Sequence, residues 1–215
     1  MFITFEGIEG SGKSTQCNLL CRYLDQLGYQ VVCSKEPGGS QLGSHLREIL
    51  LHKDSQSLSS KAELLLYLAD RAQHVNQVIL PALEQGKIVL VDRYVDSTIA
   101  YQGHGRKLDL DLIQSMNSFV VSTAWPDLTF LLDLPVEIGL QRARSRNRSE
   151  KKTLQEGRFE AEDKAFHHSL RQGYLQLATQ EPNRFITLQA RDSSHAIFKD
   201  IKGIINNYLP KTTFS

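Results

Sequence analysis

A chain of 215 residues with 40% hydrophobic and 23% charged residues has an ordinary globular composition, which excludes a disordered chain, a collagen or a small disulfide scaffold. Its 25 Lys and Arg against 24 Asp and Glu leave a formal net charge of +1, so charge gives no reason to expect nucleic acid or membrane partners. The three cysteines are too few for a secreted disulfide framework, and no apolar run is long enough to span a bilayer. We therefore expect a cytoplasmic protein with free thiols.

Short apolar runs alternate with longer helical patterns along the chain. We predict strands at 2–5, 30–34, 88–91, 128–132 and 185–188, each suited to a strand covered on both faces. We predict helices at 13–27, 41–51, 59–84, 109–121, 136–147, 158–180 and 193–208. This alternation is typical of a doubly wound α/β protein with a parallel sheet. No repeat or flexible linker interrupts it, so we predict a single domain over residues 1–215.

The junction of the first strand and the first helix carries the strongest motif. Residues 7–14, Gly-Ile-Glu-Gly-Ser-Gly-Lys-Ser, match G-x-x-x-x-G-K-[ST] at every fixed position. Glycines let backbone N–H groups converge on a phosphate, and the following helix adds the positive end of its dipole. We predict that Lys13 reaches the β- and γ-phosphates and that Ser14 suits Mg²⁺. The predicted ATP-binding residues are Gly7, Ile8, Glu9, Gly10, Ser11, Gly12, Lys13, Ser14 and Thr15.

The loop indicates a nucleoside triphosphate but leaves the reaction open among ATPase, GTPase, sulfotransferase-like and small-molecule kinase chemistry. The sequence lacks the N-K-x-D motif that reads the base in GTPases. The small size of the chain favours a kinase with a small acceptor. Asp92 ends the third predicted strand, where a carboxylate faces the nucleotide crevice, so we predict that Asp92 and Ser14 hold the metal.

Further segments carry a family resemblance: Phe5-Glu6-Gly7, Glu36-Pro37-Gly38-Gly39, Asp92-Arg93-Tyr94 and Ala100-Tyr101-Gln102-Gly103. Together they closely resemble the bacterial type of thymidylate kinase, nearly from end to end. The resemblance implies a P-loop kinase fold, with a five-stranded parallel sheet flanked by helices. It also implies transfer of the ATP γ-phosphoryl group to dTMP with Mg²⁺, giving dTDP and ADP for dTTP synthesis. The family is typically a homodimer through helices, and helix 59–84 could supply such a face.

The implied reaction suits a cationic site. A phosphate monoester has a second pKa near 6 and is largely dianionic at pH 7, so the acceptor needs no general base. The difficulty is to bring two anions together, and positively charged side chains with precise positioning answer it.

The resemblance also implies roles for individual residues on the acceptor side. Glu9 contacts the 3′-hydroxyl of the deoxyribose, and Arg93 grips the acceptor phosphate. Tyr67 stacks on thymine while Arg71, four residues later, hydrogen-bonds its O4. Tyr101 packs under the sugar. The other predicted substrate-binding residues are Glu36, Pro37, Arg47, Ser97, Thr98 and Gln102.

Residues 142–158 form the most basic segment, with seven Lys and Arg against two Glu. Arginines at 142, 144, 146 and 148 step by two, which scatters their charges around a helix and disfavours a nucleic-acid-binding stripe. We predict a mobile lid that closes over the ATP phosphates. Arg142, Arg146 and Arg158 are its predicted catalytic residues, beside Lys13 and Arg93.

Two other functions remain open from the sequence. A kinase for a neutral acceptor, such as a deoxynucleoside, would need a base, and Glu36 could take that role. A nucleotide-dependent switch would bind ATP without transferring phosphate. The histidines have no metal-like partners, and we expect them to be surface residues or ordinarily hydrogen-bonded.

Overall fold

The computed structural model describes residues 1–52, 58–149 and 157–209, except the side chains of 147–149. Within these ranges five strands form one parallel sheet: β1 Phe2–Glu6, β2 Val31–Lys35, β3 Ile88–Asp92, β4 Leu128–Asp133 and β5 Phe185–Gln189. Their order across the sheet is β2-β3-β1-β4-β5. The predicted five-stranded parallel α/β fold is confirmed, and each strand ends one residue later than predicted.

Helices cover the sheet and supply the side chains of its edge. The described helices are α1 Lys13–Gln26, α2 Gln41–Leu51, α3 Ser60–His74, α4 Leu80–Glu84, α5 Val95–Thr98, α6 Leu110–Val121, α7 Val136–Ser149, α8 Lys164–Gln180 and α9 Ser194–Ile205. A π-helical segment, Val75–Ile79, joins α3 to α4, so the helix predicted at 59–84 is continuous. A second, Ile99–Gly105, continues α5.

One helix prediction was wrong, and one helical stretch was missed. The helix predicted at 158–180 starts later, because Asp163 accepts a hydrogen bond of 2.7 Å from the Phe166 N–H and caps α8. Before it lies one short 3₁₀ turn, Phe159–Ala161. The helical stretch 95–105 was not predicted, since its β-branched residues and glycines have low helix propensity.

The central strands are buried and the edge strands are not. All residues of β1 and β4 are buried, whereas β2 and β5 alternate with exposed positions. The prediction that every strand is covered on both faces was therefore wrong for β2 and β5, which border the sheet.

The parallel register brings the functional loops to one edge. Phe5 of β1 and Lys35 of β2 are both paired with Asp92 of β3. The loops that follow these three strands therefore leave the sheet side by side, which is where ligands bind in open α/β sheets. No helix in the described ranges is long and apolar enough to cross a membrane.

Candidate active site

A cavity of about 810 Å³ opens at this edge of the sheet. It brings together side chains from the loop after β1, from α2 and α3, and from the segments that follow β2 and β3. All of the predicted substrate-binding residues line it: Glu9, Glu36, Pro37, Arg47, Tyr67, Arg71, Arg93, Ser97, Thr98, Tyr101 and Gln102.

The phosphate loop forms one wall of the cavity. Glu9, Gly10 and Gly12–Thr15 line it, whereas the other predicted loop residues, Gly7, Ile8 and Ser11, do not. Gly12 has φ 96° and precedes α1, whose first turn has no side-chain cap among the described residues. The N–H groups of that turn are therefore available to an anion.

The phosphate loop has no room for a side chain at position 10, where it carries Gly10. Its φ is 71°, and a Cβ atom on Gly10 would collide with the backbone carbonyl of Gly139 in α7. The loop thus rests directly on the helix that leads into the basic segment.

Lys13 lies folded along the inside of the loop. Its Nζ donates to the Ile8 carbonyl at 2.8 Å and to Ser11 Oγ at 3.3 Å. Burial, together with the nearby charge of Arg93, lowers the pKa of Lys13 to about 8. The side chain remains largely protonated at neutral pH.

Ser14 and Asp92, the predicted metal ligands, are hydrogen-bonded to each other. The Ser14 hydroxyl donates a short hydrogen bond to Asp92 Oδ2. The other carboxylate oxygen, Oδ1, is buried and has no hydrogen-bond partner among the described residues. An oxygen-only pair with a buried, unpartnered carboxylate oxygen fits the preference of Mg²⁺ for a few protein oxygens plus phosphate.

Arg93 joins the phosphate loop to the helical segment after β3, where it donates to Ser97 Oγ at 3.3 Å. Its backbone has φ 72°, a strained conformation for a residue with a side chain. Nη1 donates to the Gly7 carbonyl at 3.1 Å, and Nη2 donates to Glu9 Oε1 at 3.1 Å. The guanidinium also lies over the Tyr101 ring, 4.9 Å from its centroid. These contacts hold a cation at a fixed point of the cavity wall.

Glu9 is the buried anion of this cluster. Besides Arg93, it accepts a short hydrogen bond from the Tyr101 hydroxyl, and its Oε2 lies 3.4 Å from His167 Nδ1. Burial alone would raise the pKa of Glu9, but His167, Arg93 and Lys13 outweigh burial and hold it well below its usual value.

The expectation for the histidines was wrong for His167. This residue is fully buried, and neither ring nitrogen has a hydrogen bond within the described ranges. His74 is ordinarily bonded, to Ser34 and Glu36. Among the described residues no cluster of three or more His, Cys, Asp or Glu side chains can hold a metal.

Arg71 is the centre of a buried hydrogen-bond network in the cavity wall. The side chain is 1% exposed, and its Nε donates to Glu36 at 2.8 Å. Nη1 donates to Thr98 and Asn117, and Nη2 donates to the Tyr94 carbonyl. A guanidinium has five N–H donors, so one hydrogen on Nη2 has no partner among the described residues.

A second buried acid, Glu63, was missed by the sequence analysis. It is fully buried and accepts from Gln102 at 2.7 Å, from Arg158 at 2.5 Å and from Arg106 at 3.2 Å. Glu63, Tyr67 and Arg71 follow one another at intervals of four residues and therefore lie on one face of α3. This helical spacing is the sequence signal that could have identified Glu63.

The predicted lid arginines lie in different places. Arg146 and Arg158 line the cavity, with Arg158 buried against Glu63. Arg142 lies outside the cavity lining and donates to the carbonyls of Ala190 and Arg191 after β5. The middle of the predicted lid, 150–156, is outside the described residues.

The parallel sheet, the glycine-rich loop with its lysine and the Ser14–Asp92 pair define a P-loop phosphotransferase. A family model described as thymidylate kinase matches residues 5–201. The thymidylate kinase of Maridesulfovibrio salexigens is 54% identical over 202 residues, which are 94% of this chain and 93% of the relative. That of Halothermothrix orenii is 51% identical over 94% of both chains. The crystal structure of thymidylate kinase from Ehrlichia chaffeensis aligns with TM-score 0.76 at 34% identity, covering 96% of this chain and 98% of that one.

The chain belongs to the thymidylate kinase family, and it transfers the γ-phosphoryl group of ATP to dTMP, giving dTDP for dTTP synthesis.

Proposed function

We propose that the described cavity carries out this transfer by positioning two phosphate-bearing substrates between fixed cations. The observation that carries the proposal is that Lys13 and Arg93 line one cavity with the Ser14–Asp92 pair. Positive groups that are already oriented stabilise the charge of the transferring phosphoryl group without reorganisation. Arg146 and Arg158 also line the cavity. We propose that they and Arg142 act as the arginines of the lid.

We propose that ATP lies along the loop from Gly7 to Thr15 and that Ser14 and Asp92 hold Mg²⁺. Asp92 Oδ1 is buried and without a hydrogen-bond partner among the described residues, so it is available as a ligand. When bound, Mg²⁺ neutralises charge on the β- and γ-phosphates. The two side chains hold each other in place through their short hydrogen bond.

Asp92→Asn tests the metal pair, because it keeps the shape of the side chain and removes its charge. We expect the Mg²⁺ concentration for half-maximal rate to rise by about tenfold or more, a usual cost of disturbing a metal site. The measurement is ADP release against Mg²⁺ concentration. Asp25→Asn, on the exposed side of α1, is the matched control. An unchanged Mg²⁺ requirement in Asp92→Asn would contradict the assignment.

We propose that dTMP occupies the acceptor side, with thymine between Tyr67 and Arg71. Tyr67 is half-buried and offers a ring face, while Arg71 has one unpartnered Nη2 hydrogen within the described ranges for an acceptor such as O4. Glu9 and Tyr101 are proposed to contact the sugar, and Arg93 with Arg47 the phosphate. Glu36, Pro37, Ser97, Thr98 and Gln102 complete this wall.

The two alternatives from the sequence are less well supported. Glu36 is 4% exposed, and its two oxygens accept from Arg71 at 2.8 Å and from His74 at 2.9 Å. A carboxylate engaged in this way is poorly placed to accept a proton from a neutral hydroxyl. A switch without transfer would not need the acceptor wall that these residues form.

We propose that the enzyme is a homodimer through α2, α3 and α6. These neighbouring helices carry large exposed apolar side chains, namely Leu42, Ile49, Leu65, Leu112 and Phe119. Leu112 and Phe119 are seven residues apart and share a helix face, and Phe119 is 88% exposed. Such exposed apolar surface marks an interaction site. We also propose a cytoplasmic location, in keeping with three free thiols, and a single domain.

Phe119→Glu tests this interface by placing a charge at the most exposed apolar side chain. We expect wild-type protein to elute as a dimer and the variant as a monomer in size-exclusion chromatography with light scattering. Leu27→Glu, at an exposed leucine after α1, should leave the dimer intact. A dimeric Phe119→Glu variant, or a monomeric wild type at micromolar concentration, would refute the proposed face.

A further inference from the structure

Two cysteine thiols that are far apart in sequence meet beside the phosphate loop. Cys17 of α1 and Cys33 of β2 place their sulfur atoms 3.5 Å apart. Cys17 is buried and Cys33 is exposed, and both are free. Both also line the cavity, next to the Ser14–Asp92 pair. Cys21, one helical turn after Cys17, is half-buried.

The two thiols are chemically unequal. Contacts with the Cys17 thiol and, to a smaller extent, the Cys21 thiol lower the pKa of Cys33 to about 7, although burial and the Asp92 carboxylate act in the opposite direction. The same contact, together with burial, raises the pKa of Cys17. An exposed thiolate is the reactive form of cysteine toward oxidants, and a neutral thiol beside it can resolve the product.

We propose that Cys33 and Cys17 form a peroxide-responsive dithiol–disulfide pair that controls the phosphate loop. In the first step the Cys33 thiolate attacks hydrogen peroxide, forming an S–O bond and breaking the O–O bond, and the released hydroxide takes a proton to become water. In the second step the Cys17 sulfur attacks the Cys33 sulfenic acid, forming the disulfide. The sulfenic hydroxyl leaves as water with the Cys17 proton, so the pair loses two electrons and the peroxide gains them.

The position of Cys17 links this chemistry to catalysis. Cys17 follows Lys13 by four residues on α1, and disulfide formation must draw its sulfur from 3.5 Å to bonding distance of a sulfur on β2. We expect this shift to move the first turns of α1, which carry Lys13 and Ser14, relative to the sheet. Small displacements of positioning groups cost turnover steeply, and we expect a reversible loss of tenfold or more. This consequence rests on the proposed roles of Lys13 and Ser14, whereas disulfide formation does not.

The test treats the folded enzyme with a small excess of hydrogen peroxide and measures intact mass, peptide links and turnover. Wild type should lose two hydrogens, show a Cys17–Cys33 cross-link and lose turnover that a dithiol restores. Cys21→Ala should behave in the same way. Cys17→Ala should instead gain one oxygen at Cys33, trapped by a sulfenic-acid reagent, and Cys33→Ala should form no intramolecular disulfide.

Three results would overturn the proposal. The first is the absence of a Cys17–Cys33 link, and the second is a dominant Cys21–Cys33 link. The third is a complete Cys17–Cys33 disulfide with unchanged turnover, which would refute control of the loop. Because mass reports the disulfide and ADP release reports the reaction, failure of the disulfide chemistry is distinguishable from failure of the site assignment.

Discussion

Replacing Lys13 by alanine should lower turnover by about a thousandfold, at the upper end of the loss from removing one preorganised electrostatic group. The Lys13 ammonium group is buried in the loop, where it donates to the Ile8 carbonyl and to Ser11 Oγ. On the proposed assignment, the developing charge on the β- and γ-phosphates would lose a fixed cation. On the proposed assignment dTMP is bound by other residues, so the KM for dTMP should change much less than kcat.

The measurement is ADP release at saturating dTMP and ATP, with Lys199→Ala on the exposed side of α9 as the matched control. The control should retain wild-type turnover. Wild-type kcat/KM for ATP should also decline above about pH 8, as the free enzyme loses the Lys13 proton. Near-normal turnover of Lys13→Ala would show that the loop does not act as assigned.

The second large effect concerns the acceptor side. Arg71→Ala should lower the free energy of unfolding by about 3–5 kcal/mol, the usual cost of removing one partner of a buried ion pair. Among the described residues the buried Glu36 carboxylate would then have only His74 as partner, and Thr98, Asn117 and the Tyr94 carbonyl would lose their donor. Arg71→Lys keeps the positive charge but lacks the planar set of N–H donors. We therefore expect an intermediate loss in the free energy of unfolding.

Urea denaturation measures this change as a shift of the midpoint at constant slope. Arg22→Ala, at an exposed position of α1, should change the free energy of unfolding by less than about 0.5 kcal/mol. A loss below about 1 kcal/mol in Arg71→Ala would contradict the buried network. If Arg71→Ala does not fold, Arg71→Lys still distinguishes the network from a surface contact.

The sequence predicted those parts of the site that follow from local rules. The phosphate loop is a contiguous motif between a strand and a helix, so Lys13 and Ser14 were assigned from spacing. Asp92 was predicted as a strand end, and parallel pairing then placed it next to the loop, where Ser14 bonds to it.

The parts that were missed depend on packing between distant elements. His167 is buried because α8 packs against the unpredicted π-helical segment after α5, and a histidine on a polar stretch gave no sign of this contact. The approach of Cys17 to Cys33 depends on how α1 lies over the edge strand β2. Sequence separation hides both contacts, since neither follows from periodicity within one element.

Glu63 is an intermediate case. It lies on the same helix face as Tyr67 and Arg71, so its place beside the acceptor side was predictable from α3 alone. Its role as the partner of Arg158 was not, because that residue follows the basic segment in sequence. In the structure, Arg158 immediately precedes the Phe159–Ala161 turn and contacts Glu63 of α3.

Acceptor choice is the most direct test of the central claim, that this cavity phosphorylates dTMP. The measurement is ATP-dependent ADP release with dTMP, dUMP, AMP, CMP, GMP and thymidine as separate acceptors, confirmed by detection of the diphosphate product. We predict that dTMP gives the highest kcat/KM and that thymidine, which lacks the acceptor phosphate, gives no acceptor-dependent rate. A higher kcat/KM with AMP, CMP or GMP, or efficient phosphorylation of thymidine, would contradict the account.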